Sequence, residues 1–241
     1  MKSPESKVAA VVNLYKPVGS SSANFVYRLR KVFGVRKVGH AGSLDPFADG
    51  VLIGCVGGAT RLVERLMGLP KTYVSTLRLG VTNACHDPEQ PFIPVDGAVP
   101  PAGEAVAAAL ARFVGEVQQR PPAFSALKVS GVSIYQSARQ GRAIDLPPRV
   151  VRIDRLDLLD YDWPNLKIEI RCGRGTYIRA LARDLGDALG CGACCETLTR
   201  TAVGPFAMAT AIDITRAPRE AIRAAALSVD QVVHLLGNPP D

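Results

Sequence analysis

Apolar and polar positions change period several times along the chain, and each change marks an element. Val11 to Tyr15 form a short apolar run that predicts a strand, and Lys16-Pro17-Val18-Gly19 reads as a turn. Ser20 to Ser22 then offer caps for a helix that stops at Gly34. Val51 to Val56 predict a buried strand, Thr60 to Met67 a short helix, and Tyr73 to Leu79 a strand ending at Gly80. Residues 82–101 carry Asn, Asp, Gly and five prolines. They predict a long irregular connection of the kind that often carries function, before an alanine-rich helix near Gly103 to Phe113.

Further along, Leu166, Ile168, Ile170 and Cys172 alternate with Lys167, Glu169 and Arg171, the pattern of a half-buried antiparallel strand. The period then becomes helical. Ile178, Leu181, Ala182, Leu185, Ala188 and Leu189 share one face at spacings of three and four, with Gly190 as the stop and Arg179 and Arg183 on a different side. Two short amphipathic helical patterns follow, around Pro218 to Leu227 and Val229 to Leu236. Together these predict an α+β protein with a mixed, mainly antiparallel central sheet and flanking helices.

Composition adds a core and a charge. At 241 residues and 47% hydrophobic, the chain can bury a substantial interior. Its net charge of +7 suits a polyanionic partner, because Lys and Arg release counterions when they meet phosphates. The cluster Arg28, Arg30, Lys31, Arg36 and Lys37 lies on or just after the first helix; it reads either as part of that surface or as an ordinary solvated face. The N-terminal segment lacks a signal-type apolar stretch and no run of 18 apolar residues occurs, so a cytoplasmic protein without membrane contact is expected. Six cysteines in that setting fit reduced thiols, with half of a zinc site at Cys191, Cys194 and Cys195 as the alternative.

Candidate chemistry begins at Asp45, in Gly39-His40-Ala41-Gly42-Ser43-Leu44-Asp45-Pro46. Close backbone packing in a glycine-rich loop can present a carboxylate, although Asp-Pro also starts an ordinary turn. His40 fits a general base, a stacking platform or a core histidine. There is no GxxxxGK[ST] loop, no GxGxxG after a strand, no GxSxG elbow and no HExxH helix, and the three histidines show no metal-ligand spacing. No cofactor or metal is therefore expected.

Several segments together carry a resemblance. They are Lys16-Pro17-Val18-Gly19-Ser20-Ser21, GHAGSLDPFADGVL from Gly39 to Leu52, Gly58-Ala59-Thr60-Arg61, Lys71-Thr72-Tyr73, RPPAFSALKVSGVSIYQSARQG from Arg120 to Gly141, and RGTYIRALARDLG from Arg174 to Gly186. In order and approximate spacing, from about residue 11 to about 206, they resemble the TruB family of tRNA pseudouridine synthases. That resemblance implies a pseudouridine synthase fold that isomerises uridine 55 in the T loop of tRNA without a cofactor. It assigns Asp45 as nucleophile, Arg179 as its charge partner and Tyr73 as the aromatic packed on the target uracil. His40, Tyr177 and Leu198 become substrate-pocket residues, and Lys16, Arg61, Lys128, Arg139 and Arg142 phosphate or positioning contacts. The target base must be flipped out, since a stacked or paired uridine hides its reacting atoms.

The resemblance also implies an organisation: a catalytic domain over residues 1–215 with an RNA-clamping insertion at about 120–149, and a short helical tail at 216–241 in place of the small RNA-binding PUA domain of many relatives. A monomer binding the tRNA T-arm, with no obligate protein partner, is expected. Two departures stand out. Val81 to Asp87 differs from the family's Thr- and Asp-rich stretch and receives no assignment, and Cys194-Cys195-Glu196 replaces more typical residues before Leu198. Two other functions compete: an RNA-binding folding helper that keeps the scaffold without turnover, against which Asp45, Tyr73 and Arg179 argue, and a metal-dependent hydrolase using His86-Asp87.

Overall fold

The computed structural model describes residues 8–122, 128–129, 132–133 and 146–237. They gather into two compact units, one from the segments up to Thr72 and from Thr199 onward, the other from Tyr73 to Leu198.

The first unit starts with β1 (Ala9–Lys16), α1 (Ser22–Phe33), β2 (Val38–His40), β3 (Asp49–Gly57) and α2 (Val63–Gly68). β3 runs antiparallel to β1 from Ala9↔Gly57 to Lys16↔Gly50. Eight of its nine residues are buried, so both faces need cover. Because strand side chains alternate, Val51, Ile53 and Cys55 join one apolar cluster, with Leu62, Leu66 and Phe206, while Leu52 and Val56 join another, with Phe25 and Leu29 of α1. Gly54 lets α1 approach: a Cβ there would stand 2.4 Å from Leu29 Cδ1. Ser21 caps α1 by accepting from Asn24 N–H, and Gly34 ends it in the left-handed region.

The chain continues through β4 (Lys71–Leu79), β5 (Val81–Thr82), β6 (Ile93–Pro94), α3 (Gly103–Ala111), β7 (Gly115–Gln119), β8 (Lys128–Val129), β9 (Val132–Ser133), β10 (Arg149–Asp162), β11 (Asn165–Cys172), α4 (Ile178–Leu189) and β12 (Ala193–Val203). In the second unit the sheet order is β12-β4-β11-β10-β7, with β11 and β7 antiparallel to β10. The predicted alternation of β11 holds, with Leu166, Ile168, Ile170 and Cys172 all buried. α4 buries Ile178, Leu181, Ala182 and Leu185 as its period predicts, but Arg179 is buried with them rather than lying on a solvent side. Residues 82–101 are less irregular than expected, because β5 and β6 pair within them.

The last stretch returns to the first unit with β13 (Phe206–Ala207), β14 (Ile212–Asp213), α5 (Arg219–Ala224), β15 (Leu227–Ser228) and α6 (Val229–Leu235). The segment expected as a tail enters the core: β15 pairs with β1, and Val229 and Val232 are buried in the cluster with Val11. The protein is thus α+β with a mainly antiparallel sheet. Among the described residues no helix is long and apolar enough to cross a membrane.

Candidate active site

The Asp45 loop leaves β2 at His40 and enters β3 at Asp49. Ala48 N–H donates to Asp45 C=O at 3.1 Å, so Asp45 does open a turn while its side chain remains half-buried. Four residues fix the loop. Ser22 Oγ, in the first turn of α1, donates to Leu44 C=O at 3.2 Å and accepts from Leu44 N–H at 3.0 Å. Gly19 N–H, in the turn after β1, donates to Pro46 C=O at 2.8 Å. Two inward-facing cations complete the clamp. Lys16 Nζ donates to Ala48 C=O at 2.6 Å, Pro17 C=O at 3.0 Å and Pro46 C=O at 3.4 Å. Arg200 on β12 donates to Val51 C=O at 2.7 Å, Gly42 C=O at 3.1 Å and Ser43 C=O at 3.3 Å.

These cations are 0% and 1% exposed. Burial holds the Lys16 ammonium down at about 8, opposed by attraction to Asp49 and Asp45 and helped by repulsion from Arg200. Carbonyl dipoles solvate such a cation without cancelling its charge, so the loop carrying Asp45 rests on a positive field. Asp49 also accepts from Tyr15 O–H at 2.9 Å. His40 is pushed below its ordinary value, first by burial and then by Arg200, and its Nδ1 is buried without a hydrogen-bond partner among the described residues. A neutral ring in that position can fill space or stack.

In the second unit Arg179 sits in the first turn of α4 with 4% exposure. Its Nη1 lies 3.1 Å from Asp87 Oδ2 and donates to Cys85 C=O at 3.2 Å. Asp87 is 2% exposed and belongs to the stretch that received no assignment from sequence. Asn83 Nδ2 shapes that turn by donating to Asp87 C=O at 2.8 Å and Gln90 C=O at 3.0 Å, and His86 adopts φ +54° between them. Gln119 clamps the backbone before α4, accepting from Tyr177 N–H at 2.8 Å and donating to Tyr177 C=O at 3.1 Å. The Arg149 guanidinium covers the Tyr177 ring at 5.1 Å. Tyr73 and Leu198 are both buried, on β4 and β12.

The residues expected at the site therefore fall into two sets. Asp45, His40 and Lys16 come together in the first unit; Tyr73, Tyr177, Arg179 and Leu198 belong to the second. Lys16 faces inward, which leaves positioning rather than surface phosphate contact as its part. The Lys128 side chain, Arg139, Arg142 and most of the 120–149 insertion lie outside the described residues. Sequence reasoning missed Arg200, Asp87 and Gln119. Arg200 left a signal, since it stands two residues after Leu198 on one strand and hence on the same, inward face. Asp87 left no periodic signal.

The six cysteines are all buried and none forms a disulfide. Cys194 and Cys195 are successive strand residues: the first thiol turns to Val81 C=O and Asn83 Oδ1, the second lies 3.3 Å from Ser75 Oγ, so they do not face one ion. Among the described residues no three His, Cys, Asp or Glu side chains group as a metal site would need, and Asp87, required by the hydrolase reading, is engaged by Arg179.

The chain is similar to a solved structure described as a Cbf5-Nop10-Gar1 complex, with 28% identity and a TM-score of 0.72 over 94% of this chain and 62% of that one. The family profile "TruB family pseudouridylate synthase (N terminal domain)" matches residues 30–178, and "tRNA pseudouridylate synthase B C-terminal domain" matches residues 179–232. The tRNA pseudouridine synthase B of Francisella philomiragia subsp. philomiragia is 40% identical over 89% of this chain and 71% of its own length. That of Mycobacterium tuberculosis H37Rv is 45% identical over 81% of this chain and 67% of its own. The chain thus spans 62% to 71% of the length of these proteins. It belongs to the TruB family of pseudouridylate synthases.

Proposed function

We propose that this protein converts uridine 55 in the T loop of tRNA to pseudouridine, acting on a flipped-out base with Asp45 as the nucleophile. The observation that carries this reading is the half-buried Asp45 on a loop fixed by Ser22, Lys16 and Arg200. A covalent step needs a carboxylate held in place against a positive environment, and such preorganisation is what a flexible turn would lack. Relatives named tRNA pseudouridine synthase B support the choice of substrate.

The chemistry breaks the N1–C1′ bond of the uridine, turns the uracil while it stays bound, and joins C5 to the same C1′. A proton leaves C5 and one is gained at N1, so no redox partner or group donor is consumed. Arg179 is assigned as the charge partner of Asp45, and its pairing with Asp87 keeps the guanidinium oriented. Tyr73 stacks on the uracil, with His40, Tyr177 and Leu198 forming the rest of the pocket. Lys128 and the 120–149 insertion grip RNA, and residues 1–215 carry the catalytic residues, with the segment after them packed against β1 in the first unit. The enzyme works in the cytoplasm as a monomer.

Purified protein incubated with an unmodified tRNA transcript, without cofactors and with excess chelator, tests this directly. Chemical mapping is expected to find pseudouridine at the T-loop uridine. Product at a different uridine would reject the target, and a requirement for metal would favour the hydrolase.

A further inference from the structure

From Val8 to Leu44 the chain contains no Asp or Glu, yet it carries Lys16, Arg28, Arg30, Lys31, Arg36 and Lys37. Lys16 is turned inward, while Arg28, Arg30, Lys31, Arg36 and Lys37 are exposed on the outer side of α1 and the turn after it. Among the described residues none of these five pairs with a carboxylate. Tyr27, Arg30, Lys31, Gly34, Val35 and Arg36 line a groove of about 530 Å³. The Tyr27 ring is 57% exposed there, with Lys31 Nζ 4.6 Å from its centroid. Lys31 also borders a second cleft of about 310 Å³, shared with Arg28 and Arg219.

A helix C-terminus welcomes some positive charge, but here that need is already met from α5. Arg219 donates to Val32 C=O at 2.8 Å and to Lys31 C=O, and Arg223 donates to Val32 C=O at 3.0 Å. Arg30, Lys31 and Arg36 come in addition, around an aromatic ring. Unpaired cations beside an exposed ring are the two components with which proteins hold single-stranded or splayed nucleic acid, the cations on phosphates and the ring under a base. An exposed large aromatic is not needed for a merely solvated basic face.

The position is informative as well. α1 begins at Ser22, which holds Leu44 beside Asp45, and Lys31 stands roughly 14 Å further along at 1.5 Å per residue. Arg36 lies at most about 14 Å from His40, four residues before it and ahead of β2. The groove is therefore outside the reach of the reacting nucleotide but within reach of the RNA that carries it.

We infer that this groove on α1 is an outlying RNA-binding site, in which Arg30, Lys31 and Arg36 hold phosphates and the Tyr27 ring supports an unpaired base. It rests on the tRNA-modifying reading of the protein for its ligand, and names a contact that reading does not contain.

The test is equilibrium binding of an unmodified tRNA transcript over a range of KCl concentrations, for the wild type and for Arg30→Ala/Lys31→Ala/Arg36→Ala. The salt slope is expected to fall by about two, near 0.7 for each single-strand phosphate that is no longer neutralised, with affinity at moderate salt reduced on the order of 10-fold or more. Tyr27→Ala should weaken binding by about 5-fold or more with the slope retained, and Tyr27→Phe should restore it. Arg30→Lys/Arg36→Lys keeps the charge and should keep the slope, which separates missing charge from a disturbed helix. An unchanged slope in the triple variant overturns the inference. So does loss of binding to phosphatidylserine vesicles with RNA binding intact, which would make the groove a membrane contact. The readout is binding, so a wild type that binds the transcript but forms no pseudouridine would refute the proposed function and leave this result standing.

Discussion

Lys16 and Arg200 in the first unit and Arg179 in the second are all cations with 4% exposure or less, yet their surroundings differ in kind. Lys16 and Arg200 donate to backbone carbonyls around the Asp45 loop. Arg179 is held against a buried carboxylate, Asp87. Carbonyls orient a cation and leave its charge in force, whereas a carboxylate offsets part of that charge and fixes its direction. The first arrangement builds a field beneath a half-buried aspartate; the second locks a guanidinium in one orientation. Burying charge served a field in one place and geometry in the other.

The comparison breaks most completely at Gly50. A Cβ there would stand 2.2 Å from Arg200 C=O oxygen, at φ +106°, where β3 and β12 pair. Gly50→Ala is expected to cost more than about 4 kcal/mol in urea unfolding; a near-wild-type midpoint would show that the strands do not meet this closely. Next comes Asp87→Asn, which removes the carboxylate paired with the buried Arg179. A loss of about 3–5 kcal/mol is expected, with Arg179→Met in the same chain recovering part of it. Additive losses in the double variant would deny the pairing.

Ser22→Ala removes both hydrogen bonds to Leu44 and sharpens the first half of the comparison, with an expected cost of about 1–3 kcal/mol and slower turnover. Stability loss without any change in turnover would detach the clamp from the chemistry. The smallest effect concerns pH. Lys16 titrates at about 8 in the folded protein against 10.5 for a free lysine, so between those values the unfolded chain binds the extra proton and this group's contribution to stability rises with pH. Over the same range the field under Asp45 weakens, and turnover should decline above about pH 8. A flat profile would remove Lys16 from that field.

Much of this was legible in the sequence where one element sufficed to encode it. The face of α4, the alternation of β11, and the left-handed stops at Gly34 and Gly190 follow from local periodicity and glycine. At Asp45 the turn reading holds, since Ala48 N–H donates to Asp45 C=O, and the turn leaves the side chain half-buried. What escaped depended on distant partners. Arg179 lies on an otherwise apolar helical face and meets Asp87 there, and nothing in Cys85-His86-Asp87 announces that meeting. Lys16, expected in a turn as a phosphate or positioning contact, is instead the inward-facing end of β1, under the Ala48 and Pro46 carbonyls. β12 was not expected, since Ala193 to Val203 mixes cysteines, threonines and charged residues without the strict alternation that marks β11.

The central claim is that Asp45, on its clamped loop, carries the chemistry. Its most direct test is single-turnover pseudouridine formation by Asp45→Asn on an unmodified tRNA transcript, with RNA affinity measured in parallel. The expected rate is lower by about 10⁴-fold or more, with affinity within a few-fold of wild type. A mutant that turns over at the wild-type rate would contradict it.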